Sequence, residues 1–120
     1  MKLVIDRTKW ARGGGEDEAS FLLRTEDNKM CCLGFYCLAQ GVSQSVIANV
    51  FSPGAVCVDD SDFFENLKKL VRIKTDGPHN NDICNKMMEV NDVSSFGDDV
   101  RETKLTKLFE KIDIDVEFVN

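Results

Sequence analysis

The residues best equipped for binding chemistry lie in Arg7–Gly15, RTKWARGGG. Trp10 is the only tryptophan, and its flat face suits stacking on a base or a cation. Arg7, Lys9 and Arg12 surround it. Arginine meets a phosphate through two parallel hydrogen bonds, and lysine meets it as a point charge. Gly13 opens a run of three glycines that let backbone amides approach an anion closely. Arg7, Lys9, Trp10, Arg12 and Gly13 therefore form a candidate site for a small, nucleotide-like anion. Arg24 and Arg72 join it if the fold brings them near. The competing reading is structural: Trp10 pins the loop onto the core and the cations face solvent.

Catalytic chemistry has weaker candidates. No G-x-S-x-G, P-loop or H-E-x-x-H motif is present. The single histidine, His79, sits in a Pro78–Asn80 turn, where a solvated role outweighs that of a catalytic base. The five cysteines are Cys31, Cys32, Cys37, Cys57 and Cys84. Cys31 and Cys32 fall near a helix start, which lowers a thiol pKa, but their apolar neighbours raise it. An odd count without C-x-x-C spacing predicts reduced core thiols rather than zinc ligands or disulfides. The carboxylate groups Asp59-Asp60, Asp98-Asp99 and Asp113, Asp115, Glu117 suit helix starts and the wet face of a strand better than a metal or a shared proton. The expectation is a protein without catalysis, cofactor or metal.

A chain of 120 residues, 42% hydrophobic, suits one domain over 1–120. The formal net charge of −6 disfavours a general nucleic-acid binder, which needs a basic face. It leaves a small anion held by a local cluster of cations, or a protein partner with a basic surface. The apolar run Leu3-Val4-Ile5 is too short for a signal-peptide core, and no stretch reaches the roughly 20 apolar residues of a membrane span. A cytosolic location is expected.

These residues need a scaffold, and Lys29–Gly41, KMCCLGFYCLAQG, is its centre. Met30–Ala39 carries no charge on any side, the mark of a buried helix. Asp27 or Asn28 is the expected cap and Gly41 the terminating glycine. Strands are expected at Lys2–Asp6, Ser20–Thr25 and Asp113–Val119. The last alternates, with Ile114, Val116 and Phe118 on one side. Further helices are expected at Gln44–Val50 behind Ser43, from Ser61 to about Val71, at Asp82–Val90 and at Asp99–Ile112. In the last, Leu105, Leu108, Phe109 and Ile112 face inward, Arg101, Lys104, Lys107 and Lys111 outward, and Asp98 or Asp99 caps. The predicted fold is α+β: a small sheet of the N-terminal, second and C-terminal strands, packed by four to five helices around a buried central one.

The segments Lys9-Trp10-Ala11-Arg12-Gly13, Leu22-Leu23, Lys29-Met30-Cys31-Cys32-Leu33-Gly34-Phe35 and Val116-Glu117-Phe118-Val119 resemble those of a group of small proteins encoded by phages and prophages. The likeness covers most of the chain. It implies a setting in the cytosol of an infected bacterium and a role against host defence. Two functions follow as expectations. One is capture of a nucleotide-derived signal at the Arg7–Gly15 loop, where two copies of the loop around one ligand would suit a homodimer. The other is an acidic inhibitor (Glu16–Glu18, Asp59–Asp62, Asp113–Glu117) that blocks a basic surface on a host protein.

Overall fold

The computed structural model describes residues 2–14, 21–50 and 83–120. Among these the fold mixes helix and strand. Strand β1 is Lys2–Asp6 and β2 is Asp115–Val119; helices α1 (Cys32–Ala39), α2 (Gln44–Ile47), α3 (Ile83–Asp92) and α4 (Asp98–Glu110) lie between them. The helix expected from Ser61 to Val71, together with Cys57, Asp59-Asp60, Arg72 and His79, lies outside the described residues.

The two terminal strands pair directly. They run parallel, with Leu3 opposite Val116 and Ile5 opposite Phe118. Alternation sets the faces: Leu3 and Ile5 enter the core, while Lys2 and Val4 remain exposed. On β2, Asp115 and Glu117 are exposed, while Val116 and Phe118 are half-buried. Lys2 bridges to Glu117 across the wet face at 2.7 Å.

The expected second strand is not among the sheet's members. Residues 21–24 make only isolated bridges, Leu23 with Ala48 and Arg24 with Lys29. Leu22 and Leu23 are both buried, so the segment lacks the alternation of a half-buried strand. It is a core crossing. The Leu22 amide bonds the Val50 carbonyl and the Asn49 amide bonds that of Leu23.

Helix α1 is buried from Cys32 to Cys37 on every side. It starts later than its apolar run because Lys29-Met30 is held extended: Met30 bridges Trp10, and its amide bonds the Lys9 carbonyl at 2.9 Å. Asp27 and Asn28 therefore lie too early to cap. Asp27 receives the Lys29 amide instead, and the Cys32 amide is taken by the Asn91 side chain of α3 at 3.0 Å. Gly41 ends the helix at φ 89°, with its amide on Leu38 and that of Val42 on Cys37, the Schellman arrangement. Asp113 (φ 60°) closes α4 in the same way, through Asp113–Glu110 and Ile114–Phe109 bonds.

Helix α2 is shorter than the sequence predicts, because Ala48 leaves the helix to bridge Leu23 and Asn49 turns to φ 57°. Helix α3 buries Ile83, Cys84, Met87, Val90 and Asn91. Helix α4 buries Leu105, Leu108 and Phe109 as the spacing predicts, but Arg101 is also buried and Gly97, not Asp98 or Asp99, is the N-cap. Arg101 does not face solvent because its guanidinium turns back to the Val93 and Phe96 carbonyls at 2.8 and 2.9 Å. Those carbonyls belong to the α3–α4 loop, and Arg101 ties the loop down.

Candidate functional site

The Arg7–Gly13 segment is bound to the helices by Arg7, Trp10 and Arg12. Trp10 is 2% exposed. Its indole Nε1 donates to Asn91 Oδ1 at 2.8 Å, and its ring packs on Phe118 at 5.2 Å. The Arg12 guanidinium lies over the indole at 4.5 Å. This is a correction to the ligand-stacking reading of Trp10: the indole is taken up inside the protein, because its one polar atom finds a buried acceptor there.

The arginines are similarly engaged. Arg7 grips Glu102 with Nε and Nη2 at 2.9 and 2.7 Å. Arg12 grips Asp98 with both nitrogens at 3.1 Å and donates to the Arg7 and Trp10 carbonyls. The Arg12 contacts hold the Asp98 carboxyl below its ordinary range. Gly13, at φ 71°, lies against Arg101; a Cβ there would come within 3.0 Å of its Nη2. The fold thus brings Arg7, Trp10, Arg12 and Gly13 together; carboxylates of α4 rather than a free anion satisfy the two arginines, and Asn91 of α3 takes the Trp10 indole and the Gly13 amide. Arg24 closes instead on Asp27 of its own hairpin, at 2.9 and 2.6 Å, and pulls that carboxyl down to about 2.

Lys9 is separated from this group by strand geometry. The parallel bridge between Trp10 and Met30 sets Lys9 beside Lys29. Trp10 and Met30 are buried, whereas Lys9, which ends the 3-10 turn Arg7–Lys9, is exposed and Lys29 is half-buried. Both lysines line a cleft of about 540 Å³ with Asp6 and Asp27 at its rim. Leu23, Met30, Phe35 and Leu38 supply its apolar wall. Two like charges side by side repel, and an anion between them relieves that repulsion. Neither lysine forms an ion pair among the described residues. Lys29 and Phe35 were not legible as site residues, because only the 10–30 bridge, which no local pattern announces, sets them beside Lys9.

The thiols are poorly suited to nucleophilic chemistry. Cys31, Cys32, Cys37 and Cys84 are all buried. Burial pushes the Cys31 and Cys37 thiols up to about 12 and the Cys32 thiol well above its usual value. We expect a disulfide exchange reagent at pH 8 to leave Cys31, Cys32 and Cys37 unlabelled in the folded protein and to label them all in denaturant; rapid native labelling of any of these three would contradict that. Among the described residues no cluster of metal-ligating side chains forms, and no helix is long and apolar enough to cross a membrane.

Comparison with protein-family models, with curated proteins and with solved structures finds no match.

Proposed function

We propose that this is a non-catalytic binding protein that holds a small, nucleotide-like anion in the cleft between Lys9 and Lys29. The side-by-side placement of these two lysines over an apolar wall carries the reading. Their ammonium groups meet the phosphate, and the apolar wall of Leu23, Met30, Phe35 and Leu38 serves the base in place of Trp10. The cleft volume falls within the range of roughly 300–1,000 Å³ typical of small-molecule sites. The phage-type resemblance supports a setting in which capture depletes a nucleotide signal of host defence.

The test is calorimetric titration with a panel of nucleoside mono-, di- and triphosphates and cyclic nucleotides. Lys9→Ala/Lys29→Ala should weaken ligand binding by about 150-fold or more, since charge-assisted bonds contribute about 1.5–3 kcal/mol each. The lysine side chains point outward, so circular dichroism should find the variant folded. No binding by the unaltered protein, or undiminished binding by the folded variant, overturns the proposal. A complex with a basic host protein that forms without nucleotide and dissociates steeply with salt would favour the acidic-inhibitor function instead.

A further inference from the structure

We propose that the Lys9–Lys29 cleft selects a nucleotide carrying a single phosphate, and that Asp6 at its rim excludes polyphosphates. The inference rests on reading the cleft as an anion site. It goes further by naming the ligand's charge state and the residue that sets it.

The charges decide the selectivity. Lys9 and Lys29 provide two positive charges inside the cleft, with Asp6 and Asp27 beside them. Asp27 is neutralised by Arg24, which grips it with two nitrogens. Arg24 is in turn committed to Asp27 and does not add to the anion's reception. Among the described residues Asp6 has no such cationic clamp; Lys9 attracts it without gripping it. Its Oδ1 accepts the Thr8 amide at 3.0 Å and the Thr8 hydroxyl at 2.7 Å. Those two bonds hold the carboxyl below its ordinary pKa, so it stays ionised at neutral pH. Thr8 also fixes its place, because Asp6 is the N-cap of the 3-10 turn Arg7–Lys9, three residues before Lys9.

One phosphate near neutrality carries about 1.5 to 2 negative charges, which two ammonium groups can match. A second or third phosphate would find no further cation here and would lie against the Asp6 carboxylate. Like charges brought together in this way are a strong means of rejection. The apolar wall argues in the same direction. Leu23, Met30, Phe35 and Leu38 offer inorganic phosphate nothing, whereas a nucleoside fills the space beside the lysines. Asn28 and Gln44, also on the lining, present amide groups to a base edge.

The experiment titrates one base as its 5′-monophosphate, its 5′-triphosphate and, separately, inorganic phosphate, without divalent cations, so that no metal masks the triphosphate's charge. It uses the unaltered protein and Asp6→Asn. Asparagine keeps an N-cap acceptor for Thr8 and removes the charge. The unaltered protein should bind the monophosphate about tenfold or more tighter than the triphosphate, and Asp6→Asn should narrow that ratio to about threefold or less. Inorganic phosphate should bind at least about tenfold more weakly than the monophosphate. A triphosphate that binds as tightly as the monophosphate, or a ratio unmoved by Asp6→Asn, overturns the inference and leaves the anion-binding function standing. Failure of every nucleotide to bind overturns both.

Discussion

Gly34→Ala unfolds the protein, or leaves it with a loss of at least about 4 kcal/mol, a size reserved for steric conflicts that a core cannot relax. Gly34 lies in the buried first half of α1, where the helix runs directly against the backbone of residue 22. A Cβ at this position would sit 1.8 Å from the Leu22 carbonyl oxygen and 2.9 Å from Met30 Cβ. Neither neighbour is the free end of a flexible side chain. The Leu22 segment is fixed by its bond to Val50, and Met30 by its bridge to Trp10. Relief would require separating α1 from both crossings, and with them the buried side chains of Leu22, Cys31 and Leu33. Total stabilities of about 5–15 kcal/mol leave little after such a loss. Urea denaturation followed by circular dichroism reads the effect, with Gly41→Ala as a contrast. Gly41 meets nothing within 4 Å, and alanine there bears only the strain of φ 89°, about 1 kcal/mol. Equal effects of the two substitutions would refute the packing account.

Asn91→Leu should cost about 3–5 kcal/mol, because it leaves several buried polar groups without partners at once. The Asn91 side chain is fully buried. Its Oδ1 receives the Trp10 indole and the Cys32 amide; its Nδ2 reaches the Ala11 carbonyl at 2.9 Å. Its own backbone carbonyl takes the Gly13 amide. One residue of α3 therefore caps α1, anchors the tryptophan and holds the glycine loop. A hydrophobic replacement of similar size keeps the volume but silences the first three contacts. Part of the loss should vanish in Trp10→Phe, which removes the indole donor in advance. The double-mutant cycle is expected to show about 1 kcal/mol of coupling between positions 10 and 91. Strict additivity would mean that the indole bond contributes nothing. Trp10 emission should move to longer wavelength in Asn91→Leu and become accessible to iodide.

Much of the scaffold was legible from local pattern. Cys32–Cys37 carries no charge and is buried; the period of Ile83, Met87 and Val90 marked α3, and that of Leu105, Leu108 and Phe109 marked α4. Gly41 announced the end of α1. The alternation of Ile114, Val116 and Phe118 marked a half-buried strand, and the pairing of the two termini followed. What failed were features decided by contacts distant in sequence. Leu22-Leu23 sits in a short apolar run that read as a strand, but among the described residues it makes only isolated bridges. Arg101 was placed outside by charge alone, whereas the free carbonyls of residues 93 and 96 draw it in. Asn91 was overlooked, although it falls one helical turn beyond Met87, on the apolar stripe, where a polar residue signals a buried network. For the site, spacing grouped Arg7, Trp10, Arg12 and Gly13 as ligand contacts, and the fold brings the four together through contacts within the protein. Spacing was silent on which groups would satisfy them, because Asp98 and Glu102 lie over 80 residues away. Lys9 was grouped with the wrong neighbours, since a residue's facing direction depends on a bridge to position 30.

The parallel pairing of β1 with β2 has a consequence for the order of assembly. Strand β1 is synthesised well before the strand it pairs with among the described residues, which spans residues 115–119. During translation β1 must wait, with Leu3 and Ile5 uncovered on that side, while more than a hundred residues follow it. Closing so long a loop adds entropy cost that local helices do not face, and parallel pairs of high sequence separation form slowly. The helices between them can collapse first, so the register between β1 and β2 is set late, once residues 115–119 have been made.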